Sequence, residues 1–205
     1  MVKSPKEFII ELCDSNEIKD FVKKYHYSHS TIGVSSVYCF KLIYKNEIIG
    51  AMIYGWISMP TVWKKYVGNK HDIIELRRLC CIDDTPKNTE SYFISKTIKW
   101  LLLNSNIKKI ISYADPEYGH NGVIYKASNF KHIGMTNSFK TIIYNNKKYH
   151  MRCLSKNCNG KFPPFKQRII KALNNNEAYT KKTKPKYIYL YDLEKRRNKK
   201  RMRDK

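Results

Sequence analysis

Acidic side chains are scarce in this chain: 17 Asp and Glu stand against 40 Lys and Arg in 205 residues, a formal net charge of +23. A neutral globular enzyme carries no such excess, and a surface this basic attracts polyanions through phosphate neutralisation and counterion release, which makes nucleic acid the expected partner. No run of about 18 apolar residues is present to cross a bilayer. The opening MVKSPKEF has no long apolar stretch behind a basic one, as a secretory signal has. An intracellular, cytoplasmic protein with no membrane partner is therefore expected. Six cysteines (Cys13, Cys39, Cys80, Cys81, Cys153, Cys158) show no spacing of a secreted disulfide framework, which fits a reducing compartment. His150, Cys153 and Cys158 lack the second ligand pair that a zinc knuckle needs. Internal repeats are absent too.

The charge that is present is unevenly spread. Lysines number 32 and arginines 8, and Asn and Ile are abundant, as an AT-rich coding sequence gives; part of the excess can be drift. Residues 181–205 nevertheless hold twelve Lys and Arg against three Asp and Glu, a local net of +9, and such a block reads as an interaction arm. The expected organisation is one domain over residues 1–180, then a last strand and basic tail over 181–205. In that tail Lys195, Arg196, Arg197, Lys199, Lys200 and Arg201 are the candidate phosphate contacts, ordered on DNA.

Periodicity supplies the elements. Ser4-Pro5 predicts a capped helix start, and Ile18, Phe21, Val22 and Tyr25 repeat at helical spacing, so one or two short helices lead in. Val37–Tyr44 and Ile48–Trp56 read as a hairpin, residues 57–72 as a long surface loop, and Ile73–Ile82 as a strand. A turn rich in cap formers follows, then a helix burying Phe93, Ile94, Thr97, Ile98, Leu101 and Leu102, then the strand Lys109–Ala114 ending at Asp115. A loop opens another helix; Ser138–Tyr144 and Lys148–Leu154 read as a second hairpin and Tyr187–Tyr191 as a last strand. The predicted class is α/β, a mixed, mostly antiparallel sheet with helices on both faces and a basic carboxyl-terminal extension. Ligands in open α/β sheets bind at the carboxyl ends of strands, which draws attention to Asp115.

This order resembles a GNAT-type acyltransferase topology. The residues also resemble the phage Mom-type DNA modification proteins, a GNAT-related family. The likeness rests on His26-Tyr27-Ser28, on Glu75-Leu76-Arg77-Arg78-Leu79 with an acidic turn and Asn88-Thr89-Glu90-Ser91, on Ser112-Tyr113-Ala114-Asp115, on Gly122–Phe130, and on the run 184–191. It implies transfer of a carbamoylmethyl-type group to the exocyclic N6 of adenine in phage DNA, protecting it from host restriction. Duplex DNA is then the partner, and a homodimer stays open. An N-acetyltransferase acting on a protein, polyamine or RNA amine is the alternative, as is a DNA-binding protein that keeps the fold without the chemistry.

The resemblance assigns roles that the residue types can carry. Asp115 at a strand end can accept the amine proton, or simply cap the following turn. His26 and Tyr27 lie at a loop mouth, with His29 nearby, and Tyr125 stands where GNAT enzymes often place a tyrosine that protonates a leaving thiolate. Arg78, Asn88 and Ser91 are candidate contacts for acetyl-CoA or a related donor, because a helix start favours an anion. The Thr85–Glu90 turn lacks the usual Arg/Gln-x-x-Gly-x-Gly/Ala pattern of that site. Bond formation at a methylene carbon also makes iron reasonable, with His26 as ligand and Glu75 or Cys80 as partners. Alternation on a strand sends Arg77 to the face opposite Arg78.

Overall fold

A computed structural model describes residues 4–59, 61–156, 160 and 162–203. The described residues form two compact units: one from residues up to 114, 120–134 and 187 onward, the other from 115–119 and 135–186. The division differs from the expected boundary at residue 180, because the last strand and the tail return to the first unit while the stretch before them builds a sheet of its own.

The first unit carries a seven-stranded sheet in the order β1-β2-β3-β4-β5-β10-β6. Its strands are β1 (Ile9–Cys13), β2 (Tyr38–Tyr44), β3 (Glu47–Gly55), β4 (Ile73–Cys81), β5 (Lys109–Ala114), β6 (Lys131–Met135) and β10 (Tyr187–Asp192). Neighbours from β1 to β4 pair antiparallel, as do β5 and β10, whereas β4 and β5 run parallel. Helix α1 (Ser15–Tyr25) covers one face, burying Ile18 and Val22 against Cys39, Ala51, Ile53 and Cys80. Each such aliphatic side chain contributes about 1.5–3 kcal/mol. Helix α2 (Thr89–Asn104) covers the other face with Phe93, Ile94, Ile98 and Leu101, the residues its periodicity named. A short α3 (Val123–Ala127) adds Tyr125 to the same core, and α5 (Leu193–Arg203) ends the described chain.

Of the expected helical lead-in, the repeat from Ile18 to Tyr25 is α1, whereas the Ser4-Pro5 start is one 3-10 turn, Pro5–Glu7, with Ser4 and Glu7 forming a capping box, after which the chain turns to β1. Edge pairing of Ile9–Cys13 with β2 overrides the local helix signal. Short, mostly exposed strands with weak alternation, Lys131–Met135 and Ala178–Lys182, were invisible to periodicity. The stretch 57–72 contains two 3-10 turns, at Val62–Lys65 and Lys70–Asp72.

The second unit holds the three-stranded sheet β8-β7-β9, from β7 (Lys140–Tyr144), β8 (Lys147–His150) and β9 (Ala178–Lys182), with α4 (Pro164–Asn174) packed on it through Ile169 and Ala172 against Ile142 and Ala178. Cys158 lies outside the described residues.

Candidate active site

One extra residue in β4 organises the site. The β3–β4 register pairs Tyr54 with Leu76 and Ile53 with Arg78, leaving Arg77 as a β-bulge. Leu76 and Leu79 therefore both join the α2-side core, where strict alternation would have split them, and Cys80 joins the α1 side. Arg77 and Arg78 fall between these leucines on one face; their expected placement on opposite faces is corrected by the bulge. Arg77 donates to the Trp56 carbonyl at 2.9 Å and lies 3.9 Å from Glu75. Arg78 donates to the carbonyls of Ser30 (3.2 Å) and Arg77 (2.7 Å). Among the described residues no carboxylate lies within salt-bridge distance of Arg78. Burial, then the neighbouring Arg77, lowers its pKa.

The β4–β5 pairing stops at the same level. It runs from Ile73↔Lys109 to Leu76↔Ser112 and no further, so Arg77–Cys81 and the end of β5 part company. Ser112 marks the fork: it is fully buried and its hydroxyl donates to the Leu76 carbonyl at 3.2 Å. Tyr125 from α3 stands beside Ser112, and burial pushes its phenol up to about 12. Glu75, Tyr27 and Tyr189 also act electrostatically on it.

Beside the fork stands an aromatic tier. His26, 4% exposed, ends α1, and its ring lies 4.2 Å from that of Tyr27, which in turn lies 5.1 Å from exposed His120. The Ser28 amide donates to His26 Nδ1 at 3.1 Å, and the Ser28 hydroxyl lies 2.8 Å from the same nitrogen. An accepting Nδ1 places the ring proton on Nε2. Burial, followed by Arg78, His120 and His29, holds the pKa of His26 down to about 4, so it is neutral at physiological pH. His29 is turned away, its Nδ1 bonded to the Lys23 carbonyl at 2.9 Å.

The first unit thus brings His26, Tyr27, Glu75, Arg78 and Tyr125 into one electrostatic neighbourhood. Asn88 and Ser91 stand at the start of α2. Asn88 adopts a left-handed backbone (φ 70°) and makes no side-chain cap, while the Ser91 hydroxyl donates to the Asn88 carbonyl. Asp115 belongs to the second unit. Its Oδ1 caps the next turn by accepting from the Glu117 amide (3.0 Å), and its Oδ2 pairs with Lys186 (2.8 Å). His120 was missed by sequence reasoning, although it sits in the loop that follows a strand's carboxyl end, which was the signal for it.

The residues around His26 do not fit the expected iron. Among the described residues no group of three or more His, Cys, Asp or Glu can hold a metal ion. His26 has its Nδ1 occupied and a guanidinium beside it, and burial pushes the Cys80 thiol up to about 12, leaving it a protonated core residue. The tail differs as well. Residues expected to order on DNA already form α5, because Arg197 donates to the carbonyls of Leu101, Leu102, Ser105 and Ile107 at the end of α2. Arg196 lies over the Tyr191 ring and donates to its hydroxyl. Lys195 and Lys199 are exposed; Lys200 and Arg201 lie in α5, their side chains outside the described residues. Among the described residues no helix is long and apolar enough to cross a membrane.

A mixed sheet flanked by helices on both faces, with its parallel pair forking where α2 begins the crossover, is the GNAT acyltransferase fold. Arabidopsis thaliana NAA60 in complex with acetyl-CoA shares it at a TM-score of 0.54 with 7% identity, covering 90% of this chain and 98% of that one. An N-acetyltransferase from Staphylococcus aureus Mu50 gives 0.51 and 12%, covering 91% and 99%. Within that fold the chain belongs to the Mom protein family, whose profile matches residues 7–205. Methylcarbamoylase mom of Escherichia phage Mu is 29% identical over 132 residues, 63% of this chain, and the match spans 54% of that relative, about half its length.

Proposed function

We propose that this protein is a transferase that adds a carbamoylmethyl-type group to the exocyclic N6 of adenine in phage DNA and so shields it from host restriction. The observation that carries the reading is the fork after Leu76 and Ser112, with Tyr125 at its base and the His26–Tyr27–His120 tier beside it. Family membership and the named activity of the phage Mu relative support it.

The N6 amine is a poor nucleophile inside a duplex, so the base must leave the stack and be held. Tyr27 and His120 offer it aromatic faces. Neutral His26, protonated on Nε2, donates to an acceptor nitrogen of the base edge. As the N6–C bond forms, the amine proton passes to a carboxylate: Glu75 in the first unit, or Asp115, each of whose oxygens keeps a second lone pair. The bond from that carbon to the leaving group breaks, and its electron pair goes with the leaving group.

Tyr125 faces that step as a hydrogen-bond donor. Full proton transfer from a phenol at about 12 to a thiolate, whose ordinary thiol pKa is about 8.5, costs about 5 kcal/mol. Arg77, Arg78 and the start of α2 suit an anionic donor of acyl-CoA type, with Asn88 and Ser91 near its pyrophosphate. A thioester carbonyl yields an N6-acyl product. A carbamoylmethyl product requires the leaving group on a methylene next to the carbamoyl group. Mass spectrometry of nucleosides from the DNA of cells producing the chain distinguishes the two. It should show a modified deoxyadenosine, lost in Glu75→Gln or Asp115→Ala; only the four ordinary deoxynucleosides in the parent would sink the reading.

A further inference from the structure

The second unit is the more basic of the two. Residues 115–119 and 135–186 contain thirteen Lys and Arg against three Asp and Glu, a net of +10 in 57 residues, and the remaining 148 residues carry 27 against 14. The net charge density here is twice that of the first unit, about half of the difference from more Lys and Arg and half from fewer Asp and Glu.

The sheet register shows where it is displayed. Ile142, Tyr144, Tyr149 and Ala178 point into the core beneath α4. Alternation then puts Thr141, Ile143, Lys148, His150, Tyr179 and Lys181 on the opposite face. The pairs Thr141↔His150, Thr141↔Lys181, Ile143↔Lys148 and Ile143↔Tyr179 arrange them in two rows across three strands. Tyr179 is 62% exposed and Lys181 is exposed, so an aromatic ring and a cation stand side by side on the solvent face. Lys148 also pairs with Glu117 at 2.6 Å and lies over the Tyr118 ring, which ties the 115–119 segment to this face. Asp115 is held in the same unit by Lys186. The face thus adjoins the segment that continues from the end of β5, the segment bearing a candidate catalytic carboxylate.

We propose that the open face of β8-β7-β9 is a docking surface for the phosphate backbone of duplex DNA, with Lys181 contacting phosphate, Tyr179 packing on the sugar-phosphate edge, and Lys148 holding the 115–119 segment beside the bound strand. Lys148 is taken by Glu117, so the charge this face offers a polyanion is that of Lys181, set beside exposed Tyr179 in a unit of net +10; the choice of DNA among polyanions rests on the proposed function. In the tail, by contrast, Arg197 is occupied with carbonyls.

The test is binding of the full chain to a short duplex DNA of mixed sequence, by fluorescence anisotropy across a salt series. Tyr179→Ala with Lys181→Ala should weaken binding roughly tenfold at fixed salt and lower the slope of log affinity against log salt by about 1, with unchanged thermal unfolding. The conservative Tyr179→Phe with Lys181→Arg should bind as the parent does. Lys181→Glu alone, at an exposed position that tolerates change, should weaken binding further than Lys181→Ala. Unchanged affinity and slope in these variants would overturn the proposal. Modified nucleosides persisting with unaltered DNA binding in the double variant would remove this face and leave the proposed function standing. Variant-sensitive DNA binding by a parent that yields only ordinary nucleosides would do the reverse.

Discussion

His26 has a measurable consequence for stability. Burial beside Arg78 lowers its folded-state pKa to about 4, against about 6.5 in the unfolded chain. Between those values the unfolded state binds the extra proton, so stability is complete above about pH 6.5 and falls as pH drops through 4. After allowance for solvent screening the loss is about 2 kcal/mol. Urea unfolding at pH 7 and pH 4.5 should show this drop in the parent and a smaller one in His26→Gln; equal drops would show that other groups cause it. Gly122 is the second informative residue. It has φ +78°, and a Cβ there would lie 2.2 Å from the ring of Tyr189, whose hydroxyl donates to the neighbouring Asn121 carbonyl. Gly122→Ala should cost about 2–4 kcal/mol, through strain plus overpacking, read as a lowered melting temperature. The sequence displayed both residues inside motifs, but neither the shift at His26 nor the ring against Gly122 is visible without their distant neighbours.

At the scale of elements, the end of α2 and the start of α5 depend on each other. The last carbonyls of a helix have no partner within it, and Arg197 supplies one guanidinium to two of them, Leu101 and Leu102, and to those of Ser105 and Ile107 just beyond, where a cation also suits the helix dipole. Arg197→Ala should destabilise the fold by about 2–4 kcal/mol, and Arg197→Lys should recover little, because an ammonium cannot reproduce the planar fork. Lys195→Ala with Lys199→Ala, at exposed positions on the same helix, should leave stability unchanged and, under the proposed contact with duplex DNA, weaken that binding and lower its salt slope together. If Arg197→Ala unfolds like the parent, the clamp contributes nothing. Helix α2 was legible because its buried face repeats locally with helical period. The bulge at Arg77 was not, since one added residue in β4 has meaning only in register with β3.

For the whole molecule, charge and family set the expectations, and the folded chain redistributes them. A formal +23 favours a polyanionic partner whatever the fold, because it is a sum over the chain and needs no contacts. The class of fold was equally legible: hydrophobic period separates strands from helices, and their order resembles one topology. Hairpin β2–β3, helix α2 and strand β5 are where period and turns placed them. What only tertiary structure decided are the features made by residues far apart in sequence. These are the fork after Leu76 and Ser112, the tier joining His26 and Tyr27 to His120, the four carbonyls taken by Arg197, and the second sheet with its lysine-bearing face. Sequence alone determined composition, periodicity and family motifs, which are local or additive; register, pairing and burial decided the site, because each depends on which distant segment arrives opposite.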